Sequence, residues 1–377
     1  EWDGPADRPP KVPSDDGTEG GVGSPPERPV GSHPMNDERP EPDSPKADWR
    51  RWARRIDRST AGTAVVAHLE AWPPLFGVVA TYLAMPHEVD VAGATVGPRC
   101  SVVVPRTEPA GRLSLHRLDP DRLRRHRYGF LEPDETSEPV APDTVDVVLV
   151  PGLAFDRQGN RLGKGAGMYD RLLSELPLGV ARVGVATDAT LVGGLPIESH
   201  DERVHWVATE SGVHRTGIDF PASTTQVIEA CVEAGIAPAM VRFPEGTKTS
   251  QDAARAVGSD LGAIAKSLVF LVDDRPVLVL CSGDHRVDEA KLAAHFGGVS
   301  ARPAPLDIVR EVTGFVSGGT PAVGHVSRME VVADPTLARY RWVWSAGGTP
   351  DTVYPVSLER LVAASGARWA DVADRGR

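Results

Sequence analysis

The sequence predicts two consecutive α/β domains, and three observations support this prediction. The chain has 377 residues, more than a single hydrophobic core of ordinary size accommodates. Its apolar content of 41% and charged content of 25% are typical of globular proteins. Short β-branched runs alternate with helical patterns on both sides of a polar stretch at residues 214–223. We therefore expect this stretch to be a linker between domains at 46–213 and 224–377.

Residues 1–45 differ in composition from the rest of the chain. They contain 11 Pro, 6 Gly, 11 acidic and 4 basic residues, so their net charge of −7 is most of the −11 of the whole chain. Such a segment cannot bury enough apolar surface to offset the loss of chain entropy. We expect it to be a disordered tail, so the acidity of the chain says little about its folded parts.

The elements of the first domain follow from apolar spacing. A basic, Trp-rich segment at 46–57 has helical spacing, and further helices are predicted at 63–71 and 169–176. Apolar β-rich runs predict strands at 78–83, 101–105, 145–150 and 183–186. This alternation is typical of an α/β sheet.

The stretch from Asp146 to Arg171 carries the most informative pattern in the chain. A strand ends at Pro151-Gly152, glycines stand at 163, 165 and 167, and a helical pattern follows. This layout forms an anion cradle, because glycine lets the backbone approach a phosphate and the helix start directs free N–H groups at it. Arg161 and Lys164 add positive charge, and Asp170 supplies an oxygen ligand of the kind that Mg²⁺ takes. The alternative is a glycine-rich turn with solvated charges, but the density of charged residues favours phosphate.

Two familiar nucleotide-binding patterns do not fit this stretch. A P-loop needs four residues between its first Gly and the Gly-Lys pair, whereas Gly159 and Gly163 are separated by three. In a dinucleotide fingerprint, G-x-G-x-x-G, the third glycine would come one residue later than Gly167.

The composition also bounds the location of the chain. No apolar run approaches the roughly 18 residues that a membrane helix needs, so we expect no membrane partner. Cys100, Cys231 and Cys281 are isolated, without zinc-site spacing. Scattered thiols suit a reducing compartment, and we expect a cytoplasmic protein.

The glycine stretch resembles the signature of the 5-formyltetrahydrofolate cyclo-ligases, also called methenyltetrahydrofolate synthetases. The resemblance is carried by Pro151-Gly152-Leu153-Ala154-Phe155-Asp156 and by Arg161-Leu162-Gly163-Lys164-Gly165-Ala166-Gly167-Met168-Tyr169-Asp170-Arg171. It implies a three-layer α/β/α domain that converts 5-formyltetrahydrofolate to 5,10-methenyltetrahydrofolate with ATP and Mg²⁺. It also implies that Asp170 binds the metal and that Glu88 contacts the folate. The residues implied to bind ATP are Lys46, Arg50, Arg161, Leu162, Gly163, Lys164, Gly165, Ala166, Gly167, Met168 and Tyr169.

Three of these residues have a simpler alternative interpretation. Lys46 and Arg50 fit the Lys-x-x-x-Arg with which the family contacts ATP, but they could also belong to a solvated basic helix face. Glu88 follows a predicted strand end, where ligand sites of open α/β sheets lie, but it could also be a loop carboxylate in water.

In the second half, predicted helices and strands alternate again, and this half does not repeat the sequence of the first. Helical patterns cover 227–232, 249–257, 290–296 and 305–313, with Ser250 as the expected N-cap of the second. A strand is expected at 240–243 and a hairpin at 267–272 and 276–281. Lys266 opens the hairpin, and Asp284 and His285 follow it, so we expect these residues to lie near one another.

Four segments of this half resemble YbaK/EbsC-type aminoacyl-tRNA deacylases, which are relatives of the prolyl-tRNA synthetase editing domain. They are Lys266-Ser267-Leu268-Val269-Phe270, Gly283-Asp284-His285-Arg286-Val287-Asp288, Gly318-Gly319-Thr320-Pro321-Ala322-Val323-Gly324-His325 and Ser345-Ala346-Gly347-Gly348. The resemblance implies a mixed-sheet α/β domain that hydrolyses mischarged aminoacyl-tRNA without a metal. The residues predicted to be catalytic are Lys266, Gly318, Gly319, Ser345 and Gly347.

The roles of these residues follow from ester hydrolysis. N–H groups of the loops around Gly318, Gly319 and Gly347 would stabilise an oxyanion. Lys266 would anchor the terminal phosphate or the reacting carbonyl, although a lysine there is more often a solvated strand end. Residues 221–377 carry 16 basic and 18 acidic residues without a dense basic run, so we expect weak binding of free tRNA and a synthetase as a further partner.

The sequence thus predicts a fusion of two enzymes with unrelated chemistries. The alternative is that one domain, the first above all, is a nucleotide-binding module without turnover.

Overall fold

The computed structural model describes residues 39–95, 98–127, 129–247 and 249–374. The predicted disordered tail falls outside these residues up to position 38. The helices are α1 (Lys46–Ala53), α2 (Ala61–Ala71), α3 (Met168–Glu175), α4 (Ala222–Glu233), α5 (Ser250–Val257), α6 (Glu289–His295), α7 (Leu306–Thr313) and α8 (Leu358–Ser365). Within the described ranges, no helix has both the length and the apolar character needed to cross a bilayer.

The strands divide between the two halves of the chain. Those of the first half are β1 (Gly77–Ala80), β2 (Cys100–Thr107), β3 (Leu113–Arg117), β4 (Leu123–Arg125), β5 (Leu131–Pro133), β6 (Pro139–Val140), β7 (Val147–Pro151), β8 (Ala154–Asp156), β9 (Arg161–Leu162), β10 (Ala181–Val185), β11 (Leu191–Val192), β12 (Trp206–Thr209) and β13 (Gly212–Arg215). Those of the second half are β14 (Val241–Arg242), β15 (Ala265–Val272), β16 (Arg275–Ser282), β17 (Arg286–Val287), β18 (Ala301–Pro303), β19 (Glu330–Ala333), β20 (Trp342–Ala346), β21 (Thr352–Ser357), β22 (Arg368–Trp369) and β23 (Ala373–Asp374).

An eight-stranded sheet forms the centre of the first half, with strand order β13-β12-β10-β7-β1-β2-β3-β6. Strands β12, β10, β7, β1 and β2 are parallel, so their carboxyl ends share one edge. Leu69 of α2 packs in one apolar cluster with Val79 and Leu149, whereas Leu172 and Leu173 of α3 belong to a second cluster on the other face. This arrangement confirms the predicted three-layer α/β/α architecture.

A five-stranded mixed sheet, β18-β15-β16-β19-β22, forms the centre of the second half. Strands β15 and β16 are the predicted hairpin, and its turn is tight because Asp273 and Asp274 both have positive φ, at 47° and 66°. A smaller sheet, β14-β21-β20, packs on it through a core that contains Val227 and Tyr354. The mixed-sheet α/β class predicted for this half is therefore confirmed.

Two local predictions differ from the structure. The N-cap of α5 is Thr249 and not Ser250, because the Thr249 side chain accepts the bond from the Asp252 N–H. The expected linker at 214–223 begins within β13, which pairs with β12, and ends within the first turn of α4. Residues 216–221 alone join the two elements.

The two halves share buried contacts. Ile228 and Ala237 belong to the same apolar cluster as Leu75 of the first half. Trp342 packs so closely that a side chain at Gly179 would lie 2.2 Å from its ring. The described residues from Arg39 onward consequently form one compact unit.

Arg360 of α8 connects the halves by polar contacts. Its guanidinium lies 3.8 Å from the centre of the Phe76 ring and donates to the carbonyls of Phe76 (3.1 Å) and Gly235 (3.2 Å). It also lies 3.5 Å from the Asp146 carboxylate, which accepts from the Val78 N–H. Arg360 thus holds the start of β1 and the start of β7, the two central strands of the large sheet.

Candidate active sites

A cavity lies at the carboxyl edge of the large sheet. Its walls come from residues that follow β1 and β7, from α1, from the glycine loop at 163–167 and from the segment at 198–201. Every residue predicted to contact ATP, folate or Mg²⁺ lines this cavity. The structure therefore brings together side chains that are far apart along the chain.

The glycine loop presents its backbone to this cavity. Gly165 and Gly167 have φ of 106° and 63°, and a Cβ at Gly163 would lie 2.7 Å from the Arg161 guanidinium. Other residues would be strained at Gly165 and Gly167, where φ is positive. Throughout the described part of the chain, no acceptor is found for the N–H groups of residues 163–167. The loop, followed directly by α3, is a backbone cradle for an anion.

Arg161 and Asp170 form an ion pair beside the cradle. One guanidinium nitrogen of Arg161 donates to both carboxylate oxygens of Asp170, at 2.8 and 2.9 Å. The guanidinium also lies over the Tyr169 ring, at 5.8 Å. Arg161 is 9% exposed, and its Nε has no partner among the residues described. Asp170, the predicted metal ligand, is thus held by an arginine, and its metal role stays a prediction.

Lys164 and Glu88 bring the predicted nucleotide and folate residues into direct contact. The Lys164 ammonium lies 2.8 Å from one oxygen of Glu88, whose other oxygen accepts from the Met85 N–H at 2.9 Å. The Glu88 side chain is 5% exposed, which excludes the alternative of a loop carboxylate in water. A phosphate bound by Lys164 and a polar substrate group bound by Glu88 would therefore lie next to each other.

Helix α1 directs its basic residues into the cavity. Trp49 and Trp52 anchor it on an apolar cluster that contains Leu153 and Leu162. Lys46 consequently lies 2.9 Å from Glu198 and 2.7 Å from Asp201, with its side chain 14% exposed. Burial alone would lower the pKa of Lys46, but these carboxylates raise it above its ordinary value.

Arg50 completes this wall by donating to the Gly163 carbonyl at 3.0 Å. The solvated helix face considered from the sequence is therefore wrong for both Lys46 and Arg50.

Sequence reasoning missed the group formed by Glu198, His200 and Asp201. Their ligand atoms lie within 4.8 Å of one another, an arrangement that could hold a metal ion. The next residue, Glu202, donates its N–H to Asp170 at 3.4 Å, so this group adjoins the predicted metal ligand. The sequence signal that could have revealed a metal site here is the acidic, His-containing run at 198–202.

The second predicted site is built from two glycine loops that touch. The Gly348 N–H donates to the Gly319 carbonyl at 3.0 Å, and a Cβ at Gly319 would lie 2.8 Å from the Thr349 backbone. The Gly319 N–H donates to Val316, and the Gly347 N–H donates to Thr352. Of the three predicted oxyanion donors, Gly318 alone has an N–H without an acceptor among the residues described.

The side chains of Lys266 and Ser345 point in different directions. Lys266 alternates along β15 with Ala265 and Val269, which belong to the core between the two sheets, so it projects away from that core. Ser345 is 1% exposed and shares a face of β20 with Val343, a member of that core. The structure thus places the two side chains on different sides of β15.

Lys266 does reach the loop that follows the hairpin, as predicted. Its ammonium donates to the His285 carbonyl and lies 3.5 Å from the Gly283 carbonyl. It is therefore held in place and is not a free strand-end lysine.

Comparison with known proteins finds a different family match for each half of the chain. Residues 65–210 match the sequence model of the 5-formyltetrahydrofolate cyclo-ligase family, and residues 244–364 match that of the aminoacyl-tRNA editing domain. The 5-formyltetrahydrofolate cyclo-ligase of Mycolicibacterium smegmatis is 36% identical over 118 residues, which are 30% of this chain and 61% of that protein. The proline–tRNA ligase of Citrifermentans bemidjiense is 32% identical over 122 residues, which are 32% of this chain and 21% of that protein.

The chain is also similar to a solved structure. The NMR structure of Aquifex aeolicus 5,10-methenyltetrahydrofolate synthetase is 30% identical and covers 47% of this chain and 95% of that chain, with a TM-score of 0.42. The chain spans less than two thirds of the two curated relatives named above. It thus combines two domains, each related to a different family.

Proposed function

We propose that this chain, which joins a domain related to the 5-formyltetrahydrofolate cyclo-ligases to one related to aminoacyl-tRNA editing domains, catalyses both reactions. The first domain would form 5,10-methenyltetrahydrofolate from 5-formyltetrahydrofolate with ATP, and the second would hydrolyse mischarged aminoacyl-tRNA. The observation that carries the first activity is the Lys164–Glu88 contact, because it joins an anion cradle to a buried acceptor within one cavity.

The ring closure needs the formyl oxygen to be activated. That oxygen takes the γ-phosphoryl group of ATP, the second folate nitrogen attacks the activated carbon, and phosphate leaves. Such phosphoryl transfer depends mainly on positioning and charge neutralisation. The N–H groups of residues 163–167 would hold the phosphates, and Arg161 and Lys164 would offset their charge.

The donors near Asp170 fit Mg²⁺. Carboxylate oxygens are the ligands that this ion prefers, and Asp170, Glu198 and Asp201 supply them on one side of the cavity. We assign Asp170 and Asp201 as carboxylates that would hold the metal; Asp170 is paired with Arg161, and Asp201 is paired with Lys46. When bound, Mg²⁺ would neutralise phosphate charge.

The second domain would hydrolyse the ester between an amino acid and the tRNA end. Water adds to the ester carbonyl, and the terminal ribose leaves as its free hydroxyl. The Gly318 N–H is the best-placed oxyanion donor because it has no acceptor of its own in the part of the chain described. We assign Lys266 to the terminal phosphate or the carbonyl, and a synthetase as the partner that raises the local concentration of charged tRNA.

A reducing, cytoplasmic setting suits these activities. Cys100, Cys231 and Cys281 are free. Burial raises the pKa of Cys231 to about 12 and that of Cys281 to about 11, so these two thiols are neutral hydrophobes at pH 7.

Asp170→Asn tests the metal assignment. We expect weaker Mg²⁺-ATP binding by calorimetry, by about tenfold or more, because the amide lacks the charge that both Mg²⁺ and Arg161 need. Asp143→Asn, at an exposed carboxylate of the same half, is the matched control and should bind as the wild type does. Equal affinity in Asp170→Asn and wild type would refute the metal role. Mg²⁺-ATP binding without any methenyl product would show a binding module.

Glu88→Gln tests the folate assignment. The amide keeps the size of the side chain but loses the charge opposite Lys164, so we expect the folate KM to rise more than the ATP KM. Steady-state kinetics with each substrate varied in turn measures both values. Equal increases would mean that Glu88 acts on the shape of the whole cavity rather than on folate.

A further inference from the structure

The ammonium of Lys266 adjoins a cluster of polar side chains around the turn at 282–285. In the described residues Lys266 has no carboxylate partner, and its ammonium is held by the carbonyls of Gly283 and His285. An ammonium has three donors and no acceptor, so its position depends on where these two carbonyls point. Both belong to the turn at 282–285, which the His285 N–H closes by donating to the Ser282 carbonyl at 3.0 Å.

Asp334 fixes this turn by direct contacts. Its carboxylate is fully buried, accepts the Ser282 N–H at 3.3 Å and lies 2.9 Å from His285 Nδ1. The Thr336 N–H also donates to it, at 2.9 Å. Burial alone would raise the pKa of Asp334, but hydrogen bonds from Thr336, His285 and Ser282 lower it below its ordinary value. A buried carboxylate is tolerated only with such partners, so the turn and Asp334 hold each other.

The His285 ring has two further polar neighbours. Its Nδ1 lies 3.0 Å from the Thr336 hydroxyl, and its Nε2 lies 3.8 Å from Asp284. Asp284 is in turn held by Arg339 at 3.0 Å and by the Ser282 hydroxyl at 2.7 Å. The imidazole is 11% exposed. These contacts hold the ring, and the turn that the His285 N–H closes holds the carbonyl of the same residue against Lys266.

We infer that Asp334 and His285 are positioning residues for Lys266, acting through the turn whose carbonyls hold its ammonium. The inference rests on the proposed deacylase function, in which Lys266 contacts the substrate. It predicts that cutting the Asp334–His285 contact displaces a catalytic ammonium without removing it. A displacement of about 1 Å can lower a rate by roughly a hundredfold.

His285→Ala, His285→Asn and Asp334→Asn test this inference in the full chain. The asparagine amide can donate to Asp334 from near the position of Nδ1, so His285→Asn is the conservative variant. We expect His285→Ala and Asp334→Asn to lower kcat for aminoacyl-tRNA hydrolysis by about tenfold to a hundredfold with little change in KM, and His285→Asn to restore most of the rate.

A second readout does not depend on activity. Acetic anhydride labelling, followed by mass spectrometry, compares the reaction rate of Lys266 with that of the exposed Lys291 in the same molecule. We expect Lys266 to react several-fold faster, relative to Lys291, in His285→Ala than in wild type, because its ammonium is no longer held. Thr336→Val removes one contact of the His285 ring, so it should shift the ratio of Lys266 to Lys291 labelling in the same direction but less. It replaces His285→Ala if that variant does not fold.

The two readouts separate failure of the inference from failure of the proposed function. Labelling ratios equal to wild type in every variant would overturn the positioning role, whatever the activity. A wild type that hydrolyses no aminoacyl ester, together with the expected labelling shift, would support the positioning role and refute the deacylase function.

Discussion

Replacing Arg360 by alanine is expected to lower the free energy of unfolding by about 3 kcal/mol, because it removes a largely buried cation from partners in both halves. Its side chain is 12% exposed. Asp146 would lose its only cation among the residues described, and the Phe76 and Gly235 carbonyls would lose a donor. The Phe76 ring would also lose its stacked guanidinium. The free energy of unfolding of Arg360→Lys should lie between those of the wild type and Arg360→Ala, since an ammonium keeps the charge but not the planar guanidinium.

Chemical denaturation of the full chain measures this effect. Arg302→Ala is the matched control: Arg302 is 53% exposed and paired with Asp274 on the surface, so its loss should cost less than about 1 kcal/mol. Because the halves share apolar clusters, we expect the wild type to unfold in one transition and Arg360→Ala to unfold earlier. Equal stabilities of the Arg360 and Arg302 variants would show that the polar contact between the halves contributes nothing.

Replacing Lys164 by alanine is expected to slow methenyltetrahydrofolate formation by about a hundredfold to a thousandfold, the usual effect of removing one group that stabilises transition-state charge. Lys164 stands within the glycine cradle and contacts Glu88, so it connects the predicted phosphate site with the predicted folate residue. Its side chain is 33% exposed, so the variant should fold normally. The rise in methenyl absorbance measures the rate.

Two controls separate the role of Lys164 from a general charge effect. Lys291→Ala removes an exposed lysine of the other half and should leave the rate unchanged. Lys164→Arg keeps the charge with a different shape and should retain more activity than Lys164→Ala. A rate in Lys164→Ala equal to that of wild type would exclude Lys164 from the phosphate site.

The glycine cradle could be predicted from the sequence because all of its parts are local. Gly163, Gly165 and Gly167 stand between a strand and a helix, and the positive φ of Gly165 and Gly167 favours glycine there. Glu88 could be placed only at a strand end. Its contact with Lys164 depends on how two distant loops meet at one sheet edge, which no local pattern records.

Other features depended on tertiary contacts that the sequence does not reveal. The N-cap predicted for α5 was wrong by one residue. Thr249 and Ser250 are both good N-cap residues, and only the backbone geometry decides between them. The N–H groups of Gly319 and Gly347 were predicted as oxyanion donors, but they already donate to Val316 and Thr352, and no local pattern indicates these bonds. Arg360 lies in an ordinary amphipathic helix, and nothing in its neighbourhood indicates an interface between the halves.

We propose that one chain holds two independent active sites. Assays of both reactions, methenyl formation and aminoacyl-tRNA hydrolysis, in the full chain and in its Lys164→Ala and Lys266→Ala variants test this proposal. We predict that the wild type performs both, that Lys164→Ala loses only the first and that Lys266→Ala loses only the second. A wild type that performs neither reaction, or a single substitution that abolishes both in a folded protein, would refute the presence of two independent sites.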